Sequence, residues 1–123
     1  MKTLHPDIIA AAELLGTQHP EGVVSVATSK GAYVYVSPAH LRILGYTPED
    51  LLGHNYTKVS VSPTNFNNLH LVDIALTTEL VHMAYTARSK SGKLISMETH
   101  ARTIADPDTG ESFIIAHSEV VQE

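Results

Sequence analysis

The sequence predicts an α+β domain, an antiparallel sheet with short helices grouped over one face and one further helix leading in. Three observations carry that expectation. The hydrophobic periodicity runs in the order helix, two strands, several short helices, then three strands. Short turn-forming groups separate the strands of each run, so they pair as hairpins. Finally, 123 residues, of which 43% are hydrophobic and 17% charged, suit one compact core and argue against disorder.

The leading helix is expected over residues 7–15. Pro6 cannot continue a helix upstream, Asp7 is a plausible N-cap, and Gly16 is expected to end it. Ile8, Ala11, Ala12 and Leu15 share one face. A helix this short is unstable alone, so that face docks on the domain or on a second copy. These four residues are the candidate dimer interface.

Small and β-branched residues from Val23 to Thr28 predict a strand, Ser29-Lys30-Gly31 a turn, and Ala32 to Val36 the returning strand. Ser37-Pro38 opens a helical turn holding Leu41, Ile43 and Leu44, which Gly45 stops. Thr47-Pro48-Glu49-Asp50 reads as a capping box, with Thr47 as cap, Pro48 in the first helical position and Asp50 reaching back. The longest inner helix is expected over 65–77, with Phe66, Leu69, Val72 and Leu76 on one face. Strands over 80–88, 94–104 and 112–121 follow, joined by hairpin loops at Lys90-Ser91-Gly92-Lys93 and Asp106-Pro107-Asp108-Thr109-Gly110.

Composition narrows the function. There is no cysteine, which removes disulfides, thiolate metal sites and cysteine nucleophiles. Eight basic residues against thirteen acidic ones give −5. The basic residues are scattered, so nucleic-acid binding is not expected. No apolar run is long enough to cross a bilayer and no hydrophobic signal core opens the sequence, so a cytoplasmic domain without membrane contact is expected. No phosphate loop, His-Glu-x-x-His or Gly-x-Ser-x-Gly pattern occurs, and enzyme activity is not expected. The Asp106/Asp108 pair reads as a turn. Eight histidines are the oddity, since their full protonation would carry the charge from −5 to +3.

The stretch Tyr33-Val34-Tyr35-Val36-Ser37-Pro38-Ala39-His40-Leu41-Arg42-Ile43-Leu44-Gly45-Tyr46-Thr47-Pro48-Glu49-Asp50-Leu51-Leu52-Gly53 resembles the signature of PAS domains. A strand ends in a small polar residue and Pro-Ala, and a short helix, Gly-Tyr and a Pro-Glu-Asp-Leu turn follow. Lys90-Ser91-Gly92-Lys93 resembles the family's Lys-Asp-Gly hairpin, and 106–110 its last one. The resemblance covers about residues 20–121, leaving 1–19 as a flanking helix before a PAS domain over 20–123. It implies a five-stranded antiparallel sheet. It also implies a sensory or interaction module of a signalling protein, such as a histidine kinase or a transcription regulator. A small molecule would sit between sheet and helices, or the domain would serve as a ligand-free homodimerisation module. An output domain or a partner signalling protein would receive the signal. The family's Asp-x-Thr at the end of the last strand is replaced by Glu119-Val120-Val121.

Known cofactors of the family fit poorly. In the flavin photosensor branch, which Gly53-His54-Asn55 resembles, a photoactive cysteine stands where this chain has Tyr56. A phenol cannot form the thiol adduct. The two flavin-holding asparagines of the strands become Ala87 and Met97, so flavin is not expected. Haem through His70 is a third, weaker reading, because the family's ligand aligns nearer Asn68. Aligned with the family and read by alternation, the inward residues are Met83, Tyr85 and Ala87, then Met97, Thr99 and Ala101, then Ile115, His117 and Glu119. The candidate pocket is therefore Tyr56, Leu69, Met83, Tyr85, Met97, Thr99, Ile115, His117 and Glu119. His117 is expected to bond Tyr56 or Glu119, or else to anchor a ligand or act as a proton-sensitive switch.

Overall fold

The structure is a computed structural model that describes residues 4–62 and 81–121. Helix α1 (Pro6–Gln18) leads into strands β1 (Gly22–Thr28) and β2 (Tyr33–Val36). Short helices α2 (Ala39–Leu44) and α3 (Pro48–Leu51) and a 3-10 turn (Tyr56–Lys58) follow. Strands β3 (Ser60–Ser62), β4 (Val81–Arg88), β5 (Leu94–Ala105) and β6 (Ser112–Val120) complete the described elements. The helix expected over 65–77, with Phe66, Leu69, His70, Val72 and Leu76, lies outside the described residues.

All strands join one antiparallel sheet in the order β2-β1-β6-β5-β4-β3. Five are the expected strands. The sixth, β3, is a three-residue edge strand on β4, too short to leave an alternation pattern in the sequence. β1 and β6, widely separated in sequence, lie side by side, and β6 and β5 form the centre.

Caps follow sequence chemistry closely at α3. Thr47 and Asp50 form the expected reciprocal box, in which the Thr47 backbone N–H donates to Asp50 Oδ2 at 2.9 Å. Gly45 closes α2 at φ +84°, a left-handed conformation that glycine adopts without penalty. At α1 the expectation is corrected twice. His5, not Asp7, is the N-cap, its Nδ1 accepting from the Asp7 N–H at 3.0 Å. The helix also continues through Gly16 to Gln18, because its packing against the sheet outweighs the roughly 1 kcal/mol preference against an interior glycine.

The sheet separates two clusters of apolar side chains. On the inner face Val23, Tyr33, Val36, Leu44, Tyr46, Leu51, Val59, Ala87 and Met97 pack together beneath α2, α3 and the 3-10 turn. On the outer face Ile8 and Ala12 of α1 cover Val24, Val26, Phe113 and Ile115. The polar His40 is buried at the start of α2, its Nδ1 3.2 Å from the Ser37 carbonyl oxygen. Ser37 ties the β2–α2 corner to β1 through two bonds, Val24 N–H to its hydroxyl at 2.9 Å and its own N–H to the Val24 carbonyl at 2.8 Å.

Candidate functional site

β4 and β5 pair Tyr85 with Met97 and Ala87 with Ile95. Side chains directly opposite in an antiparallel pair share a face, and this face is the inner one. Met97 is fully buried, and the Tyr85 hydroxyl donates to its sulfur at 3.6 Å. The Ser118 side chain bonds the same phenol. Thr99 belongs to this row, and its hydroxyl donates to the His117 carbonyl oxygen at 3.2 Å.

A bulge adds a third element to the site. β1 pairs Val26 with Tyr35 but Ala27 with Tyr33, so Val34 is an extra residue in β2. Strict alternation would put Tyr33 and Tyr35 on one face. The bulge separates them, with Tyr33 in the inner cluster and Tyr35 on the outer one. Tyr46, just past α2, donates to the Arg88 carbonyl oxygen at 2.6 Å. Tyr56 packs on the inner cluster from the 3-10 turn.

Four phenols therefore converge on the inner face. Burial raises the Tyr33 pKa, and the neighbouring Tyr85, Tyr46 and Tyr56 raise it further. Burial also raises those of Tyr46 and Tyr85. At neutral pH these three act as neutral hydroxyls, able to donate and accept but carrying no charge.

Of the expected pocket residues, the structure brings Tyr56, Tyr85, Met97 and Thr99 to this side. Met83 lies in β4, but its side chain is outside what is described, and Leu69 lies outside the described residues. The expected orientation of Ile115, His117 and Glu119 is corrected. Ile115 is in the outer cluster under α1. His117 pairs with His100 of β5 and stacks on its ring at 4.9 Å, while Glu119 reaches His19 at the end of α1. The register explains the reversal. Because side chains alternate with period two, a shift of one position turns a whole strand over. In β6 the inner positions are Ile114, Ala116 and Ser118, opposite Ala27, Ser25 and Val23 of β1. Tyr56, expected as a partner for His117, lies across the sheet from it.

Of the candidate interface residues, Ile8 and Ala12 are fully buried against the chain's own sheet, and Ala11 and Leu15 are partly buried there. That helical face is occupied within the chain. Asp106 and Asp108 form the expected turn, Asp106 Oδ1 accepting from the backbone N–H groups of Asp108 and Thr109 at 2.8 and 3.1 Å. Sequence reasoning missed Tyr33, Tyr46 and Ser118. A strand-terminal Tyr-x-Tyr was the available signal for Tyr33, but only the bulge decides which tyrosine turns inward.

No helix among the described residues is long and apolar enough to cross a membrane. No curated protein matches the chain. Solved structures of low identity share its fold. PAS-B of Cycle from Drosophila melanogaster, with bound ethylene glycol, is 19% identical over 80% of this chain and 99% of that one, with TM-score 0.70. A domain of the sensory box sensor histidine kinase/response regulator from Geobacter sulfurreducens is 19% identical over 96% and 99%, with TM-score 0.71. The PAS domain of an HTR-like protein from Haloarcula marismortui is 17% identical over 94% and 93%, with TM-score 0.71. The family model for the PAS domain matches residues 20–120. The bulged β2, the capped short helices and the antiparallel sheet thus have a common explanation: the chain belongs to the PAS domain family.

Proposed function

We propose that this PAS domain is a non-enzymatic sensor that takes a small, uncharged, largely apolar molecule between the inner face of its sheet and the short helices. The observation that carries this reading is the pairing of Tyr85 with Met97. A phenol is a good donor, and a thioether is a weak acceptor. Ser118 also bonds this phenol, but the 3.6 Å contact to sulfur is a weak use of the donated proton, which a ligand carbonyl or hydroxyl would use better. The rest of the inner cluster is uncharged, which favours a neutral ligand, since an ion moved there would lose its hydration without a partner. Methionine accommodates different shapes by rotating about its three side-chain torsions. The ethylene glycol in the Cycle PAS-B structure is consistent with a domain of this fold taking up a small hydroxylated molecule. As a sensor the domain would act inside a signalling protein, passing occupancy of the site to an output domain or a partner.

The reading is tested by native mass spectrometry and absorption spectroscopy of freshly purified protein, followed by a thermal-shift screen of small neutral alcohols, ketones and aromatic compounds. The expected result is a colourless protein that retains or is stabilised by such a molecule, with the effect weakened in Tyr85→Phe and abolished in Met97→Trp. A bare chain that no compound stabilises would refute it, and a Soret or flavin band would replace it.

A further inference from the structure

The outer face of the sheet carries a cluster of ligating side chains that the interior site does not use. We propose that His19, His117 and Glu119 form a binding site for one divalent transition-metal ion, with zinc(II) the best match to their chemistry. Alternation along β6 puts His117 and Glu119, two residues apart, on one face, opposite Val24 and Gly22 of β1. His19 is the C-cap of α1, its backbone N–H donating to the Leu15 carbonyl, and its own carbonyl accepts the Gly22 N–H at 3.0 Å. That turn lays the His19 ring over β6, where it stacks on His117 with centroids 3.8 Å apart and an interplanar angle of 10°.

The same turn brings His19 Nδ1 to 3.2 Å from Glu119 Oε1. One donor atom from each of the three residues lies within 4.8 Å of the other two. Zinc bonds of about 2.0–2.2 Å to nitrogen and oxygen in a tetrahedron need donors a little over 3 Å apart, so a modest contraction closes the site. Two imidazoles and one carboxylate leave a fourth position for water, a common zinc(II) environment.

Three further features support the site. Gly22 lets β1 approach β6 closely beside Glu119, since a Cβ there would come within 2.7 Å of the Ser118 carbonyl oxygen and 2.9 Å of Glu119 Cγ. His100 stacks on His117 at 4.9 Å and fixes its ring plane as a positioning residue. The His19 and Glu119 side chains are 33% and 46% exposed, which gives an ion access from solvent. Stacked rings direct their lone pairs along parallel planes, so binding must tilt one ring. His19, on a turn, is the ring free to tilt.

A second trio, His5, Asp106 and Asp108, also brings its donor atoms together, but two of its side chains already hold backbone groups of the fold. His5 Nδ1 caps α1 by accepting from the Asp7 N–H, and Asp106 Oδ1 holds the β5–β6 turn by accepting two backbone N–H groups. It serves as the internal control.

The test is calorimetric titration of the metal-free chain with zinc chloride, paired with NMR of the histidine ring nitrogens. The expected result is one ion per chain in the micromolar range, with the His19 and His117 nitrogens shifting and those of His5 unmoved. His19→Gln and Glu119→Gln should each weaken binding by about tenfold or more, the usual scale for disturbing a metal site, and His5→Gln should leave it unchanged. No binding up to millimolar zinc would overturn the proposal. So would binding that survives His19→Gln and His117→Gln, or that shifts only other histidines. The NMR arm reads the unsubstituted protein, so an unfolded variant cannot mask the answer.

Discussion

Acid should weaken this fold through His40. The side chain is 3% exposed, and burial pushes its pKa down from the ordinary 6.5 to about 4, against a smaller opposing effect of the Ser37 carbonyl. Between these two values the unfolded chain binds the proton and the folded chain refuses it. Stability is therefore intact above pH 6.5 and is lost as the pH falls toward 4. A full separation of that size corresponds to about 3 kcal/mol, of which about 2 kcal/mol is already lost at pH 5. The assay is urea unfolding of the native chain and His40→Gln at pH 7 and at pH 5. Glutamine keeps a polar group beside Ser37 and cannot titrate. The His117 pKa is also lowered, by burial and then by His19 and His100 and against the opposing pull of Glu119, and so loses stability in the same direction. Its effect is present in both proteins and cancels in the difference. The native chain should lose about 2 kcal/mol more than the variant between the two pH values. Parallel losses in the two proteins would show that His40 is not held neutral, and the reasoning from its burial would be wrong.

Other perturbations probe separate parts of the molecule. Gly31→Ala should destabilise by about 3 kcal/mol, combining left-handed strain with a collision. Its φ is +88°, and a Cβ would lie 2.6 Å from the Tyr56 ring. Gly45→Ala shares the φ but meets nothing closer than Lys90 Cβ at 3.5 Å and should cost only about 1 kcal/mol; equal thermal shifts for the two would contradict the contact argument. Ile8→Ala, at a fully buried position under α1, should cost about 2–4 kcal/mol in urea unfolding, and a loss below about 1 kcal/mol would mean that α1 is not docked. Tyr85→Phe should cost about 1 kcal/mol with the fold unchanged by circular dichroism, and a larger loss would imply that the hydroxyl holds more than Ser118 and Met97.

Local signals carried most of the fold. Thr47-Pro48-Glu49-Asp50 specifies its helix start because every group in the box is within four residues, and Gly45 and the three hairpin turns are equally local. What the sequence left open depends on distant partners. The face of β6 is not legible in the sequence, because alternation says that Ile115, His117 and Glu119 lie together but not on which side. The pairing of His117 with His100 decides that, and register is a property of two strands. With Thr99 and Ala101 read as inward, alternation turns His100 outward, so a known pairing alone carries His117 with it. Tyr33 escaped notice for a similar reason, since one extra residue at Val34 alters the parity of β2. Gly16 reads as a stop because propensity is local, whereas the burial of Ile8 and Ala12 that holds α1 together is not. The phenols at Tyr56 and Tyr85, and Met97 beside them, are legible through the resemblance to PAS domains, which supplies the facing that alternation alone leaves open.

The two apolar clusters lie back to back on one sheet; β1 contributes residues to both, and β6 turns Phe113 and Ile115 to the outer one and Ile114 to the opposite side. Val23 points one way and Val24 the other; Ile114 and Ile115 divide likewise. A guest that spreads the inner side must flex these strands, and their opposite surface is the floor on which α1 rests. Occupancy beneath the sheet would therefore be felt as a change in the seating of α1, without any side chain passing from one compartment to the other.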